Sequence, residues 1–441
     1  MAAEVFDTLM IFGMLLIAGV VIREVVPIFQ KYMIPSSLIG GFLGLILGPQ
    51  VLGWITIPDS FAEIPVFGMF ILMTCVPMGI SVTRKKVVQH MDFALGNITV
   101  YGFQLIFGLL LGGALIYFWP NLPEGWGLMA VAAFFGAHGN VPIVSSVIDP
   151  TGELGAQSIG MVMATLGVII AIIPGIFMAN YGIRRGWGKY TKNVDKKEKS
   201  FFRGPLAEQE RSAIGRITVS SSNVTGFALQ FGILAVSFKL GELIFKGLAL
   251  ALPFFGNISP ILYGIVGSLI LWPFMQKVKL GSYVDKPTIN EISNFSLEAI
   301  ILTACASIQL NIVSKFFAPL LILTVVICGL TFLMIYFWYR KINKTEWFEK
   351  GLMNYGMATG SNPQGLAILR IADPNNESSI YEALGVYNAI FFWNFILLPL
   401  AASLVLLNVT PIYTIGLVLM LGAPIIAYLI FRKRKSSGTR F

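Results

Sequence analysis

The sequence predicts an all-α polytopic membrane protein: an inverted-topology repeat with five transmembrane helices plus one re-entrant hairpin per half, and an extra C-terminal helix. Of its 441 residues, 56% are hydrophobic and only 12% charged, against roughly 25% charged in an average soluble domain. Mean hydropathy is +0.78, and apolar windows of about twenty residues, the length that crosses a bilayer as a helix, recur from end to end. The chain also matches itself at one constant offset.

These features exclude an ordinary water-soluble enzyme. Cys75, Cys305 and Cys328 fall in separate apolar stretches with no CxxC spacing, and His90 and His138 are far apart. Neither a disulfide framework nor a zinc site is indicated. No nucleophile paired with a base and no cofactor motif stands out, so no enzyme and no cofactor is expected. The opening MAAEVFDTLM carries Glu4 and Asp7 but no Lys or Arg before the first apolar run, so that run reads as a permanent span rather than a cleaved signal. The net charge of +9 reads as basic loops held at the cytoplasmic face, not as a nucleic-acid surface.

In order along the chain, the first repeat occupies 1–180, with spans near 6–25, 36–54, 64–82, 96–118 and 157–180. A basic cytoplasmic linker, 181–225, contains KNVDKKEKSFFRG. The second repeat, 226–407, has spans near 226–251, 258–275, 293–312, 316–338 and 380–407, and 408–441 adds a span near 411–431 with a basic tail. Two stretches, 126–149 and 350–373, are apolar but broken by Gly, Pro, Asn and His, and read as re-entrant.

The charge bias tests this assignment. Arg23 and Lys31, Arg84 to Lys86, Arg184 to Lys189, Lys277 and Lys279, Arg340 to Lys344, and Arg432 to Lys435 fall on one face only if both broken stretches enter and leave on the same side. That face is cytoplasmic, which places the N-terminus outside and the linker and C-terminus inside. Five spans precede the linker, so the halves run in opposite orientation.

The offset that carries Ile34 onto Ile258 also aligns Leu38/Leu262, Gly40/Gly264, Leu45/Leu269 and Pro49/Pro273 without a gap, and it pairs Gly136 with Gly360 and the DPxxE run at Asp149 with that at Asp373. The glycines, prolines and DPxxE pairs carry the weight, because apolar residues match by chance. Inverted repeats of this kind build secondary transporters, whose substrate sits near the midplane between broken helices of both halves.

The broken stretches supply the candidate site: Gly136, Ala137, His138, Gly139 and Asn140 in one, and Gly360, Ser361, Asn362, Pro363, Gln364 and Gly365 in the other. Unwound backbone at membrane depth is tolerated only against protein or a water-filled cavity. Where each helix restarts, unpaired N–H groups and the positive dipole end attract an anion such as a carboxylate; Pro142 suits such a first turn. The competing reading is of packing glycines in ordinary spans. Arg370 has two readings, a bidentate partner for a substrate carboxylate or a helix-end ion pair with Asp373. Glu298 is the one carboxylate inside a long apolar segment, where an acid binds a cation, carries a proton or meets an ammonium, unless it sits at the membrane edge. Thr74, Asn294, Ser296 and Thr303 are sodium-ligand candidates, each equally an interhelical hydrogen bonder; Ser145 and Ser146 add hydroxyls. Asp149 and Asp373, each before proline, read as structural terminators.

The stretches Ala137-His138-Gly139-Asn140 and Thr359-Gly360-Ser361-Asn362-Pro363-Gln364 resemble the GGHGT-like and GATPTA-like loops of the bacterial sodium/glutamate symporter family. QKYMIPSSLIGGFLG, MATLGVIIAIIPG at 163–175 and EISNFSLEAIILT at 291–303 are also similar, and the resemblance extends to about residue 407. It implies sodium-coupled uptake of glutamate or a similar acidic compound by a homodimer in the bacterial inner membrane, by alternating access around the paired loops, with Na+ as the coupling ion. The sequence departs from the family at Gly136-Ala137, where two glycines are usual, at Gln364-Gly365, and at Ile368 and Arg370. Di- or tricarboxylate cargo and proton coupling through Glu298 therefore stay open, while a channel is disfavoured because intramembrane polar residues are few.

Overall fold

The computed structural model describes residues 2–31, 34–75, 77–78, 90–190, 218, 225–251, 255, 260–342, 346–373, 377–380, 383–384, 387 and 393–436. The triplet Arg84 to Lys86, nearly all of 191–224 in the linker and much of 380–392 lie outside these residues, as do the side chains of Pro363 and Arg370. The described residues form helices and connecting turns.

The first half contains α1 (Ala2–Val25), α2 (Pro27–Lys31), α3 (Ser36–Leu47), α4 (Ile64–Cys75), α5 (Met91–Phe118), α6 (Met129–Phe135), α7 (Val141–Ile148) and α8 (Ala156–Arg184). The second contains α9 (Gly226–Ala251), α10 (Ile261–Lys277), α11 (Lys286–Ala306), α12 (Leu310–Lys315), α13 (Phe317–Ile342), α14 (Trp347–Thr359), α15 (Asn362–Ala372) and α16 (Asn394–Val405). Then come α17 (Thr410–Leu417) and α18 (Ala423–Ser436), joined by a π-helical turn at Val418–Gly422. Among the described residues, five segments are long and apolar enough to cross a membrane: Glu4–Val25, Met91–Phe118, Ala156–Arg184, Phe317–Lys341 and Thr410–Leu429. The chain is a multi-pass membrane protein.

Two predicted spans are shorter than expected. The windows 36–54 and 64–82 carry the 12-residue helices α3 and α4, about 18 Å at 1.5 Å per residue. Apolarity continues beyond both, but α3 gives way at Gly48, followed by Pro49, and Pro77 and Met78 lie in a turn beyond α4, with 76 and 79–82 outside the described residues; proline disfavours helical geometry in its predecessor and offers no N–H. In contrast, α11 begins at Lys286, ahead of its predicted start at 293, because Asp285 caps it by accepting from the Thr288 N–H at 3.1 Å and the Thr288 hydroxyl at 2.6 Å.

Helix boundaries repeat at the offset seen in sequence. It carries the start of α1 at Ala2 onto that of α9 at Gly226, and the ends of α5, α6 and α7 at Phe118, Phe135 and Ile148 onto those of α13, α14 and α15 at Ile342, Thr359 and Ala372. Asp149 and Asp373 follow α7 and α15 with near-identical backbone angles, φ −145°, ψ 68° and φ −133°, ψ 73°. Equivalent helices also pack on each other: α4 on α11, α5 on α13, and, within the halves, α1 on α3 as α9 on α10. The C-terminal segment docks on α5 at a backbone-to-backbone approach, where a Cβ on Gly102 would meet the Gly416 carbonyl and the Met420 nitrogen, each at 2.7 Å.

Candidate functional site

Both broken stretches fold as helix, break, helix, with the two arms packed together. Hairpin one is α6 and α7; hairpin two is α14 and α15. In hairpin one the break is Gly136 to Asn140, and Ala137 adopts φ +48°, a left-handed conformation that costs an L-residue about 1–2 kcal/mol. A glycine at this place would carry no such cost. The Asn140 side chain lies over Gly136, where any Cβ would overlap it. A Cβ on Gly139 would meet Leu297 Cδ1 of α11 at 2.8 Å, so this tip abuts the helix that carries Glu298.

In hairpin two, Gly360 leaves the helix at φ −135°, ψ −95°, and Ser361 is extended. The Ser361 hydroxyl donates to Gln364 Oε1, so Gln364 is used to close the first turn of α15. The arms touch at two glycines: a Cβ on Gly356 would lie 2.5 Å from Gly365 Cα and 2.6 Å from its nitrogen. Only glycine permits this approach of backbone to backbone.

Helix α8 brings the hairpins together. A Cβ on Gly160 would meet Met129 Sδ at 2.9 Å and also Val141, both of hairpin one, while one on Gly175 would meet Ile368 Cγ1 of hairpin two at 3.0 Å. Between them, a Cβ on Gly167 would strike the Thr359 carbonyl oxygen and lie 2.9 Å from the Phe134 ring. Thr359 and Phe134 stand at or next to the ends of the first arms, so the two breaks converge beside Gly167. Thr165 adds a tether, its hydroxyl 3.0 Å from His138 Nε2 while donating to the Met161 carbonyl at 2.9 Å.

Hairpin two is held by polar groups from four sides. Pro174 has no N–H, so the Ile170 carbonyl lacks its helical donor; the Tyr355 hydroxyl donates to it at 3.2 Å. Gln104 of α5 donates to the Ala358 carbonyl at 2.7 Å and to the Thr331 hydroxyl at 3.0 Å. Lys350 and Asp92 form an ion pair of 2.7 Å with side chains 6% and 7% exposed. At the base of the hairpin, Glu346 accepts from Tyr190 and from the Ser379 hydroxyl at 2.6 Å, and Glu349 accepts from the Lys189 backbone N–H at 2.6 Å. Burial pushes the Glu349 carboxyl up, with Glu346 and Asp373 adding to the effect. Burial acts the same way on Glu346 but is outweighed by the hydrogen bonds from Ser379 and Tyr190, which hold it below the usual range.

The ion candidates are spread along α4 and α11. The repeat offset carries Thr74 onto Glu298, so the two occupy equivalent places. Thr74, Ser296 and Thr303 donate to the carbonyls of Phe70, Ile292 and Ala299 at 2.6, 2.8 and 2.7 Å, which leaves their lone pairs to accept. Asn294 is exposed and lies 3.4 Å from Glu291 Oε1. Glu298 is half-buried, and its Oε2 is enclosed with no hydrogen-bond partner among the described residues. The Asp149 carboxylate accepts from the N–H groups of Leu154 and Ala156, and Asp373 from those of Glu377 and Ser378; both are structural, as their sequence context suggests. Asp92, Gln104, Thr165, Gly167 and Tyr355 were not singled out by sequence. The one visible signal was Lys350, a cation opening an otherwise apolar stretch.

A model of the sodium/glutamate symporter family matches residues 1–347. The chain belongs to that family. Transport rather than catalysis is the family's activity. The match ends at the first residue of α14, short of the limit near 407 that the motifs suggested, so hairpin two lies beyond the matched stretch. No curated protein matches the chain.

Proposed function

We propose that this member of the sodium/glutamate symporter family is a secondary active transporter that imports glutamate or a similar acidic small molecule with sodium by alternating access. The observation that carries the reading is the convergence at Gly167, where Thr359 and Phe134 bring the ends of both first arms to one place; α7 and α15 restart from the breaks that follow, and their N-terminal amides are the groups we assign to an anion. Gly136 to Asn140 and Gly360 to Gly365 are the substrate-binding residues, with Arg370 in reserve as a carboxylate partner. Residues 1–180 and 226–407 are the two inverted repeats, and 126–149 and 350–373 are their re-entrant hairpins. The constant spacing of helix ends, together with the packing of α4 on α11 and α5 on α13, supports that assignment. The N-terminus is external, the linker and C-terminus cytoplasmic.

Sodium coordination by Thr74, Asn294, Ser296 and Thr303 has the lone pairs it requires. Proton coupling is the second reading, favoured by the enclosed Glu298 Oε2, which has no partner among the described residues. Uptake by proteoliposomes of a panel of amino acids and di- and tricarboxylates, with and without a sodium gradient, tests both. Sodium-driven glutamate uptake with counterflow, abolished by Asn362→Trp without loss of membrane insertion, is the expected result. Normal uptake by Asn362→Trp would remove the site, and a pH gradient replacing sodium, lost in Glu298→Gln, would move coupling to that acid.

A further inference from the structure

Away from the hairpin tips, α8, α13 and α14 enclose a crevice of about 940 Å³, near the top of the ~300–1,000 Å³ range of ligand cavities. Its walls are apolar: Pro174 and Phe177 of α8, Cys328 and Phe332 of α13, Leu352 and Tyr355 of α14. It runs inward to Cys328 and Leu352, which are buried, and outward to Phe177, 73% exposed, on helices long enough to face lipid. On the exposed side of its α13 wall a Cβ on Gly329 would meet nothing within 4 Å.

One end has different chemistry. The Trp187 ring contacts those of Tyr181, Tyr336 and Trp347 at 5.6, 5.9 and 5.2 Å, an aromatic cluster of the kind that marks a membrane interface. Arg185 lies over Tyr181 at 5.3 Å and Arg340 over Tyr336 at 5.6 Å. Both arginines are exposed, and neither has a carboxylate partner among the described residues. Arg185 lines the slot, and Arg340 sits beside it over the lining Tyr336; an apolar slot with two guanidinium groups at one end complements an amphiphile with an anionic head, and basic pockets between transmembrane helices bind such headgroups.

We propose that this crevice is a binding site for an anionic phospholipid, with an acyl chain in the slot and the phosphate at Arg185 and Arg340. The site is independent of the cargo. Its inner wall is the first arm of hairpin two, whose Tyr355 also serves the Ile170 carbonyl, so an occupying chain buttresses that hairpin against α8.

The test equilibrates the full-length protein in mild detergent with phosphatidylglycerol and phosphatidylcholine of identical chains and counts retained lipids by native mass spectrometry. The wild-type chain is expected to retain phosphatidylglycerol preferentially. Because each basic residue near the surface contributes roughly one kcal/mol, R185Q/R340Q should weaken phosphatidylglycerol retention on the order of thirtyfold while phosphatidylcholine is unchanged. Gly329→Trp should fill the slot and lose the preferred lipid; the exposed arginine pair gives a second variant that spares the interior. Equal retention of the two lipids by the wild type, or unchanged phosphatidylglycerol in both variants, overturns the proposal. So does disulfide cross-linking of Gly329→Cys between two copies, which would make the crevice a protein interface.

Discussion

Hairpin one and hairpin two stand at places paired by the sequence offset, yet they are held by different physics. Hairpin two closes at the contact of Gly356 with Gly365 and is tied down by Gln104, Lys350, Tyr355 and Glu346. In hairpin one the positions equivalent to those two glycines are Ala132 and Val141, fully buried apolar residues, and the tip is fixed by the His138 contact with Thr165 and a left-handed Ala137. One hairpin is therefore a packed element with local strain at its break, and the other a tightly wound element moored by charges and hydrogen bonds. The same fold position tolerates either solution because each satisfies the broken backbone from a different direction.

The largest effect that would sharpen this contrast is at the buried ion pair. Lys350→Met removes the ammonium 2.7 Å from Asp92 and should destabilise the protein by about 3–5 kcal/mol, whereas Lys350→Met with Asp92→Leu should recover most of it; thermal unfolding in detergent measures both. If the single variant is as stable as the wild type, the mooring is ornamental. Next in size is the glycine crossing. Gly365→Ala places a methyl 2.7 Å from the Met353 carbonyl and should cost about 1–3 kcal/mol and reduce uptake, while Ala132→Ser or Val141→Ala in hairpin one should leave the hairpin's geometry intact.

Smaller again is Tyr355→Phe, which strips the donor from the Ile170 carbonyl beneath Pro174 and should cost about 1–2 kcal/mol, read as a lowered Tm with membrane insertion unchanged. Ala137→Gly relieves the φ +48° conformation and should hold stability or raise it by up to about 1 kcal/mol; a clear loss would show that the methyl group packs usefully. The smallest change concerns pH at the base of hairpin two. Glu349 has a raised folded pKa, so its folded form prefers the proton, and its contribution is fully present below the ordinary glutamate value of about 4.3 and lost as pH rises through the folded value. Glu349→Gln should therefore flatten the pH dependence of Tm and leave the variant slightly more stable at neutral pH.

Much of the architecture was legible because lipid imposes a length and a composition on every span. The windows at 96–118, 157–180, 226–251 and 316–338 fall within or against the helices that form, since nothing within those windows overrides apolarity. The 36–54 and 64–82 windows overran because hydropathy averages across Gly48-Pro49 and Pro77, where the backbone stops. Gly136 and Gly360 were legible for the opposite reason: glycine beside Asn or Ser in apolar surroundings has few uses except a break. Gln104, Thr165 and Tyr355 gave no signal, because each is an ordinary helical residue whose partner lies in another helix, up to 254 positions away.

By itself, then, the chain determined its membrane class, its family, the offset at which it matches itself and the residues at which two helices break, since these follow from local apolarity, local backbone chemistry and sequence motifs. Only the tertiary structure decided that both breaks meet at Gly167, that Asp92 and Lys350 neutralise each other inside the fold, and that Glu298 keeps an enclosed oxygen with no donor among the described residues. Those are properties of distance, and distance between remote segments is set by which glycines let helices approach, a condition that exists only once the helices are packed.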